Sequence, residues 1–200
     1  ELVSKYPGVN FKLEGEAKEQ SESFGSLAMG LVFIFFIIYC LLAIPFKSYL
    51  QPIIVMSVIP FGAIGAIVGH WIMAMDLTIM SLLGMMALIG VVVNDSLVLV
   101  DFINKRRAEG VALMDAVLTS GRYRFRPVIL TSLTTFIGLM PLLFETATQA
   151  QFLIPMAVSL GFGIIFATFI TLVLVPVNYL LVEDVKGFSR LAKTKLISAK

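Results

Sequence analysis

An aspartate interrupts one of the most apolar stretches of the chain, Gly90-Val91-Val92-Val93-Asn94-Asp95-Ser96-Leu97-Val98-Leu99-Val100-Asp101. If this stretch crosses a membrane as a helix, Asp95 costs at least about 2.5–3.5 kcal/mol to place there, and such a residue is functional by default. Asp95 would sit some seven residues from the end of the helix, too deep for a short side chain to reach water. A low dielectric disfavours the charged carboxylate, so the group would be poised between its protonated and ionised forms. Proton-coupled transport requires a carboxyl of that kind. The competing reading is a neutral Asp95 hydrogen-bonded to a neighbouring helix as a packing device. Asp101, beside Asn104, Lys105 and Arg106, reads instead as a solvated or ion-paired residue at the helix end.

A second polar group could serve the first. Thr131, Thr134, Thr135 and Gly138 follow the i, i+3, i+4, i+7 pattern, which places three hydroxyls and a small residue on one helix face. Such a face permits close helix approach and interhelical hydrogen bonds, or a proton relay through water. Gly62, Gly65 and Gly69, with a GxxxG spacing in the last two, read as a tight packing stripe. Met73, Met75, Met80, Met85 and Met86 could in principle bind a soft metal, but thioethers are also ordinary apolar filler. His70 has no partner at metal-ligand spacing, Trp71 beside it reads as an interfacial anchor, and the single cysteine, Cys40, reads as a small buried residue. No phosphate loop, zinc spacing or nucleophile–base constellation occurs, so neither a cofactor nor an enzymatic activity is expected.

The elements that must hold these groups are set by composition. Hydrophobic residues make up 58% of the 200, charged residues only 14%, and the mean hydropathy is +0.97. Soluble domains are about 25% charged. Here the charges are swept between long apolar blocks, a segregation that a bilayer demands. Five segments are long enough to cross at about 20 residues per span: A, about Leu27–Pro45; B, Pro52–Ile72; C, Leu77–Phe102; D, Pro127–Phe144; and E, Phe152–Val182. The predicted fold is an all-α polytopic bundle of these five helices, with kinks expected at Pro60 and Pro176.

Basic residues set the orientation. The C–D connection carries Lys105, Arg106, Arg107, Arg122, Arg124 and Arg126, and the stretch after E carries Lys186, Arg190, Lys193, Lys195 and Lys200. The A–B turn carries Lys47, whereas the B–C and D–E turns offer only Asp76 and Glu145. With alternating helices all the basic regions fall on one side, which the positive-inside rule makes cytoplasmic. The N-terminal stretch would then be extracytoplasmic. It holds one alternating strand pattern, Val9-Asn10-Phe11-Lys12-Leu13, which needs a sheet from elsewhere. The expected organisation is the end of an extracytoplasmic domain over 1–23, a membrane domain over 24–183 and a basic cytoplasmic tail over 184–200. An amphipathic helix near 111–120 (Val111, Met114, Val117, Leu118), stopping at Gly121, is expected on the inner membrane surface. The basic residues flank membrane segments, so they call for lipid headgroups and not for nucleic acid.

These features come in a recognisable order: Gly15-Glu16-Ala17 before segment A, Phe46-Lys47-Ser48-Tyr49-Leu50-Gln51-Pro52, and Val58-Ile59-Pro60-Phe61-Gly62. The Asn94-Asp95 stretch follows, and then Arg124-Phe125-Arg126-Pro127-Val128-Ile129-Leu130-Thr131-Ser132-Leu133. Together they resemble the last five helices, eighth to twelfth, of the resistance-nodulation-division (RND) exporters, the AcrB-like pumps. The resemblance implies a homotrimeric proton-driven antiporter of the bacterial inner membrane, with a periplasmic adaptor and an outer-membrane channel as partners. It places Asn94 and Asp95 in the relay-bearing stretch of the tenth helix, Thr131 among the relay hydroxyls of the eleventh, and Arg124 on the cytoplasmic side of the proton path. Thr134, Thr135 and Asp101 rank behind them as relay or packing residues. One departure stands out. The best-known drug pumps resembling this chain carry a lysine where it has Asn94, and an asparagine where it has Asp95. The Asn-Asp pair is similar to the fourth-helix pattern of the other half, the two halves being parallel repeats.

Overall fold

A computed structural model describes the backbone of residues 16–198 and the side chains of residues 23–185. The expected strand at 9–13 lies outside the described residues. Among those described, the protein is all helical, and five helices or helix pairs are long and apolar enough to cross a membrane. The order is α1 (Glu16–Phe46), α2 (Gln51–Met56), α3 (Ile59–Ile72), α4 (Ile79–Ala108), α5 (Leu113–Leu143), α6 (Thr148–Gln151) and α7 (Ile154–Ser198). The chain divides into two units, one ending at Phe36 within α1 and the other running from Ile37 onward.

In the first unit the described residues form a single helix, the leading part of α1. The second unit is built around α7, which packs against α3, α4 and α5. Glycines bring the backbones together. A Cβ on Gly69 would sit 2.5 Å from Cβ of Phe162, and one on Gly84 would sit 2.5 Å from the Met156 carbonyl oxygen. Gly65 is likewise pressed against Phe166. The predicted glycine stripe is therefore a bed for two aromatic rings of α7. Between helices in lipid, packing and hydrogen bonds drive association, since lipid tails are as apolar as leucine.

Local chemistry explains the helix ends. Pro60 ends the continuity expected of segment B: α2 stops at Met56 and α3 starts at Ile59. Ser57 fills the gap, donating to the Ile54 carbonyl at 2.6 Å while Asn178 of α7 donates to its hydroxyl at 2.8 Å. Pro176, by contrast, lies inside an unbroken α7. Helix α4 opens on a capping box, with Thr78 accepting from the Ser81 amide and the Ser81 side chain accepting from the Thr78 amide. It closes on a Schellman motif: Gly110 takes φ +85, its amide bonds to the Arg107 carbonyl, and the Val111 amide bonds to that of Arg106.

Several boundaries differ from the sequence reading, each for a physical reason. Helix α4 continues two turns past Phe102, because the Asp101–Lys105 and Arg106–Glu109 pairs extend it into water. The amphipathic stretch near 111–120 is helical but is not a separate element. It merges with segment D into α5, and neither Gly121 nor Pro127 breaks the helix. Cys40 is exposed, contrary to the buried position expected, because α1 contributes little buried surface and its small residues face outward.

Candidate functional site

Asp95 lies on the inward side of α4, 7% exposed, between the buried Val93 and Ser96. Its neighbours do not bind it. Ser96 donates to the Val92 carbonyl of its own helix at 2.9 Å, and no described residue forms a hydrogen bond or ion pair with the Asp95 carboxyl. A carboxyl serving as packing glue needs a partner on the next helix, and none of the described residues supplies one. Asn94, one position earlier, is turned 100° around the helix and is exposed.

The hydroxyl face behaves differently from a helix contact. Thr131 donates to the Pro127 carbonyl at 3.0 Å, Thr134 to Leu130 at 2.9 Å and Thr135 to Thr131 at 2.9 Å, all within α5. Thr131 and Thr134 are exposed, and a Cβ on Gly138 would meet nothing within 4 Å. The face is open. Tight packing on α7 uses the adjacent face instead, through the buried Ser132, whose hydroxyl bonds to that of Thr168 at 2.5 Å. The Val128 carbonyl, 3.0 Å from the Ser132 hydroxyl, is an alternative acceptor for its single proton.

Arg124 is half-buried on α5 with its guanidinium carbon 5.1 Å from the centre of the Phe102 ring on α4. Its Nε is buried and has no hydrogen-bond partner. Asp101 pairs with Lys105 at 2.7 Å. The structure therefore sets Asp95, Thr131 and Arg124 on two neighbouring helices, with no hydrogen bond or ion pair joining them.

Sequence reasoning missed the polar ties that hold α4 in place. Gln51 of α2 and Asn104 of α4 exchange two amide hydrogen bonds of 2.9 Å, and Tyr179 of α7 donates to Asn104 Oδ1 at 2.8 Å. At the opposite end of the bundle His70 bridges α3 and α4. Its Nδ1 faces the Ala66 carbonyl at 2.9 Å, which can only accept, so Nδ1 carries the proton. Its Nε2 lies 2.7 Å from Ser81 Oγ, so both ring nitrogens are occupied. Trp71 beside it is 83% exposed. The one available signal was composition: glutamine, asparagine, histidine and tyrosine inside apolar blocks. Met73 and Met75 pack against Leu143, Ile154, Ala157 and Val158 as apolar filler. In the turn before α6, Glu145 accepts from the amides of Ala147 and Thr146, and these bonds hold its carboxyl below the usual glutamate range.

Among the described residues, five helices long and apolar enough to cross a membrane, one of them carrying a buried acid, define a polytopic membrane protein. Residues 2–183 match the model of the AcrB/AcrD/AcrF family, and the chain belongs to that family of RND efflux transporters. It is 31% identical over 172 residues to the swarming motility protein SwrC of Bacillus subtilis (strain 168), covering 86% of this chain and 16% of that protein. It is also similar to two crystal forms of a heavy metal efflux pump. Form II has a TM-score of 0.78 at 27% identity, covering 90% of this chain and 18% of that one. Form I has a TM-score of 0.77 at 26% identity, covering 91% and 19%. The chain thus spans less than a fifth of the length of these relatives.

Proposed function

We propose that this chain is part of the membrane engine of a proton-driven RND exporter of hydrophobic or amphiphilic compounds, with Asp95 as its protonatable centre. The observation that carries the reading is a carboxyl buried in a spanning helix without a partner among the described residues. A group so placed binds and releases a proton with little competition from fixed hydrogen bonds, and its charge changes the energy of the surrounding helices when it does. Asn94, Thr131 and Arg124 line the route on α4 and α5. Thr134, Thr135 and Asp101 are secondary. Nothing in the proposal requires an enzymatic step or a cofactor.

The basic ends of α4, α5 and α7 lie in the cytoplasm under this reading, and α1 enters from outside. The membrane is the bacterial inner membrane. The complete protein is a homotrimer that works with a periplasmic adaptor and an outer-membrane channel through domains beyond this segment. In that complete protein Asp95→Asn is expected to abolish gradient-driven export while leaving expression and trimer formation intact. Undiminished export would overturn the proposal and favour a purely structural role for this half of the membrane domain.

A different cargo is favoured by one observation, the similarity to a heavy metal efflux pump. Met73 and Met75 at the α3–α4 end are packed as apolar filler and provide no support for a metal path there. Export measured side by side for amphiphilic dyes and for soft metal ions separates the two cargo classes, and relatives that handle lipids or assist protein translocation would export neither.

A further inference from the structure

The basic end of the bundle contains a built arrangement of which the transport reading uses only Arg124. Two arginines from different helices lie over one aromatic ring: Arg106 of α4 at 5.5 Å and Arg124 of α5 at 5.1 Å from the centre of Phe102. Tyr123 stacks on the same ring at 6.1 Å and also carries Arg106 at 5.9 Å. Cation–π contact fixes a guanidinium through its face and leaves its in-plane N–H donors free. Arg106 spends one donor on Glu109 at 3.1 Å. Arg124 spends none on any described residue, and its Nε is buried without an acceptor. Among the described residues no carboxylate pairs with Arg122, Arg124 or Arg126.

The depth of this cluster follows from helix length. Starting at Ile79, about 20–24 residues cross the hydrocarbon, so α4 leaves it between Val98 and Phe102 and Arg106 stands roughly 6–12 Å beyond. Counting about 20 residues back from Leu143 brings α5 to the same boundary at Arg124. Both counts put the two guanidiniums in the headgroup layer. Tyr123 and Phe125 are exposed beside them, as aromatic residues are at a membrane interface.

We propose that Arg106 and Arg124, held on Phe102, bind the phosphate of an anionic phospholipid in the leaflet on the basic side of the membrane. The planar forks match phosphate oxygens, the aromatic ring holds them in place before the lipid arrives, and the exposed Tyr123 and Phe125 flank the site at the interface. Glu109 competes with the phosphate for Arg106. The site does not depend on Asp95 being a proton carrier, and it stands if the cargo or the coupling ion proves different.

The test uses the complete protein in nanodiscs of phosphatidylcholine doped with phosphatidylglycerol, with retained lipid read by native mass spectrometry. Phosphatidylglycerol is expected to be retained over phosphatidylcholine. Arg106→Gln and Phe102→Leu should each lower that preference about tenfold, the loss expected for a charge-assisted contact at a preformed site. Arg106→Lys, which keeps the charge and loses the fork, should lower it less. Glu109→Gln should raise it, a gain that damage to the fold would not produce. No preference in the wild type would overturn the proposal. So would retention unaffected by these substitutions, the result expected if a carboxylate from helices outside this chain occupies the arginines. Displacement of the lipid by inorganic phosphate would assign the site to a free anion instead.

Discussion

Single polar groups in this bundle fall into two kinds, those with partners and those without, and the difference sets what their removal does. Ser132 is tied to Thr168 across the α5–α7 contact, and Thr168 keeps a second bond to the Ile164 carbonyl. Interhelical bonds of this type average about 0.6 kcal/mol in membrane proteins, so Ser132→Ala is expected to cost roughly that much. Ser159 on α7 is 0% exposed and its hydroxyl has no partner. Ser159→Ala removes a desolvated, unpaired group at almost constant volume, and it should be neutral or stabilising by about 1 kcal/mol. Thermal unfolding in detergent checks both, and a clear loss of stability in Ser159→Ala would show that the hydroxyl is bonded after all. Asp95 resembles Ser159 in lacking a partner but differs in kind. A hydroxyl can stay neutral and silent, whereas a carboxyl can take up and lose a proton, and that is why the functional proposal rests on Asp95.

At the scale of helices, the arrangement depends on where a side chain is missing. Gly84 of α4 faces the Met156 backbone, which cannot yield as a flexible side chain could. Gly84→Val should therefore force α4 and α7 apart at a cost of about 1–3 kcal/mol or more, seen as a lower unfolding temperature. Gly90 lies on the same helix, and a Cβ there would meet nothing within 4 Å, so Gly90→Ala should cost nothing and gain up to about 1 kcal/mol from helix propensity. Equal effects at the two positions would mean that helix propensity, and not packing, decides stability. The polar ties act at the same scale. Gln51, Asn104 and Tyr179 clamp α2, α4 and α7 at one end, and His70 with Ser81 clamps α3 to α4 at the other. Asp95 sits between the two clamps on a helix that is held at both ends.

The molecule as a whole presents an incomplete surface. Asn94, Thr131 and Thr134 are polar, lie on membrane-spanning helices and are exposed in the second unit. Polar groups do not stand against lipid without cost, so the open side of α4 and α5 calls for a protein neighbour. In the relatives, of which the chain covers 16% of SwrC and 18% of the similar efflux pump, further sequence is available to fill that place. Residues 1–200 reconstituted alone in vesicles are accordingly expected to show no gradient-driven transport, measured as dye or proton flux. Transport by this segment alone would refute the need for facing helices.

The sequence by itself determined the class of this protein, because apolar blocks of about 20 residues, broken by basic loops, have few solutions outside a bilayer. It also marked Asp95, since an acid in such a block stands out on energetic grounds alone. Pro60 marked an interruption, read as a kink, where the structure breaks segment B in two, and helix ends were misplaced where charge pairs or an unbroken backbone carried the helix on, as at Phe102, Gly121 and Pro127. Only the tertiary structure decided which polar residues meet. Periodicity placed Thr131, Thr134 and Thr135 on one face, for helix contact or for a relay, and the rotation of α5 gives the described contact with α7 to Ser132 and leaves the threonines open. The pairing of Gln51 with Asn104, and of Arg106 with Arg124 over Phe102, joins residues from different helices. A one-dimensional pattern fixes what lies along a helix and on which face, whereas the rotation and crossing of packed helices depend on the whole set of side chains between them.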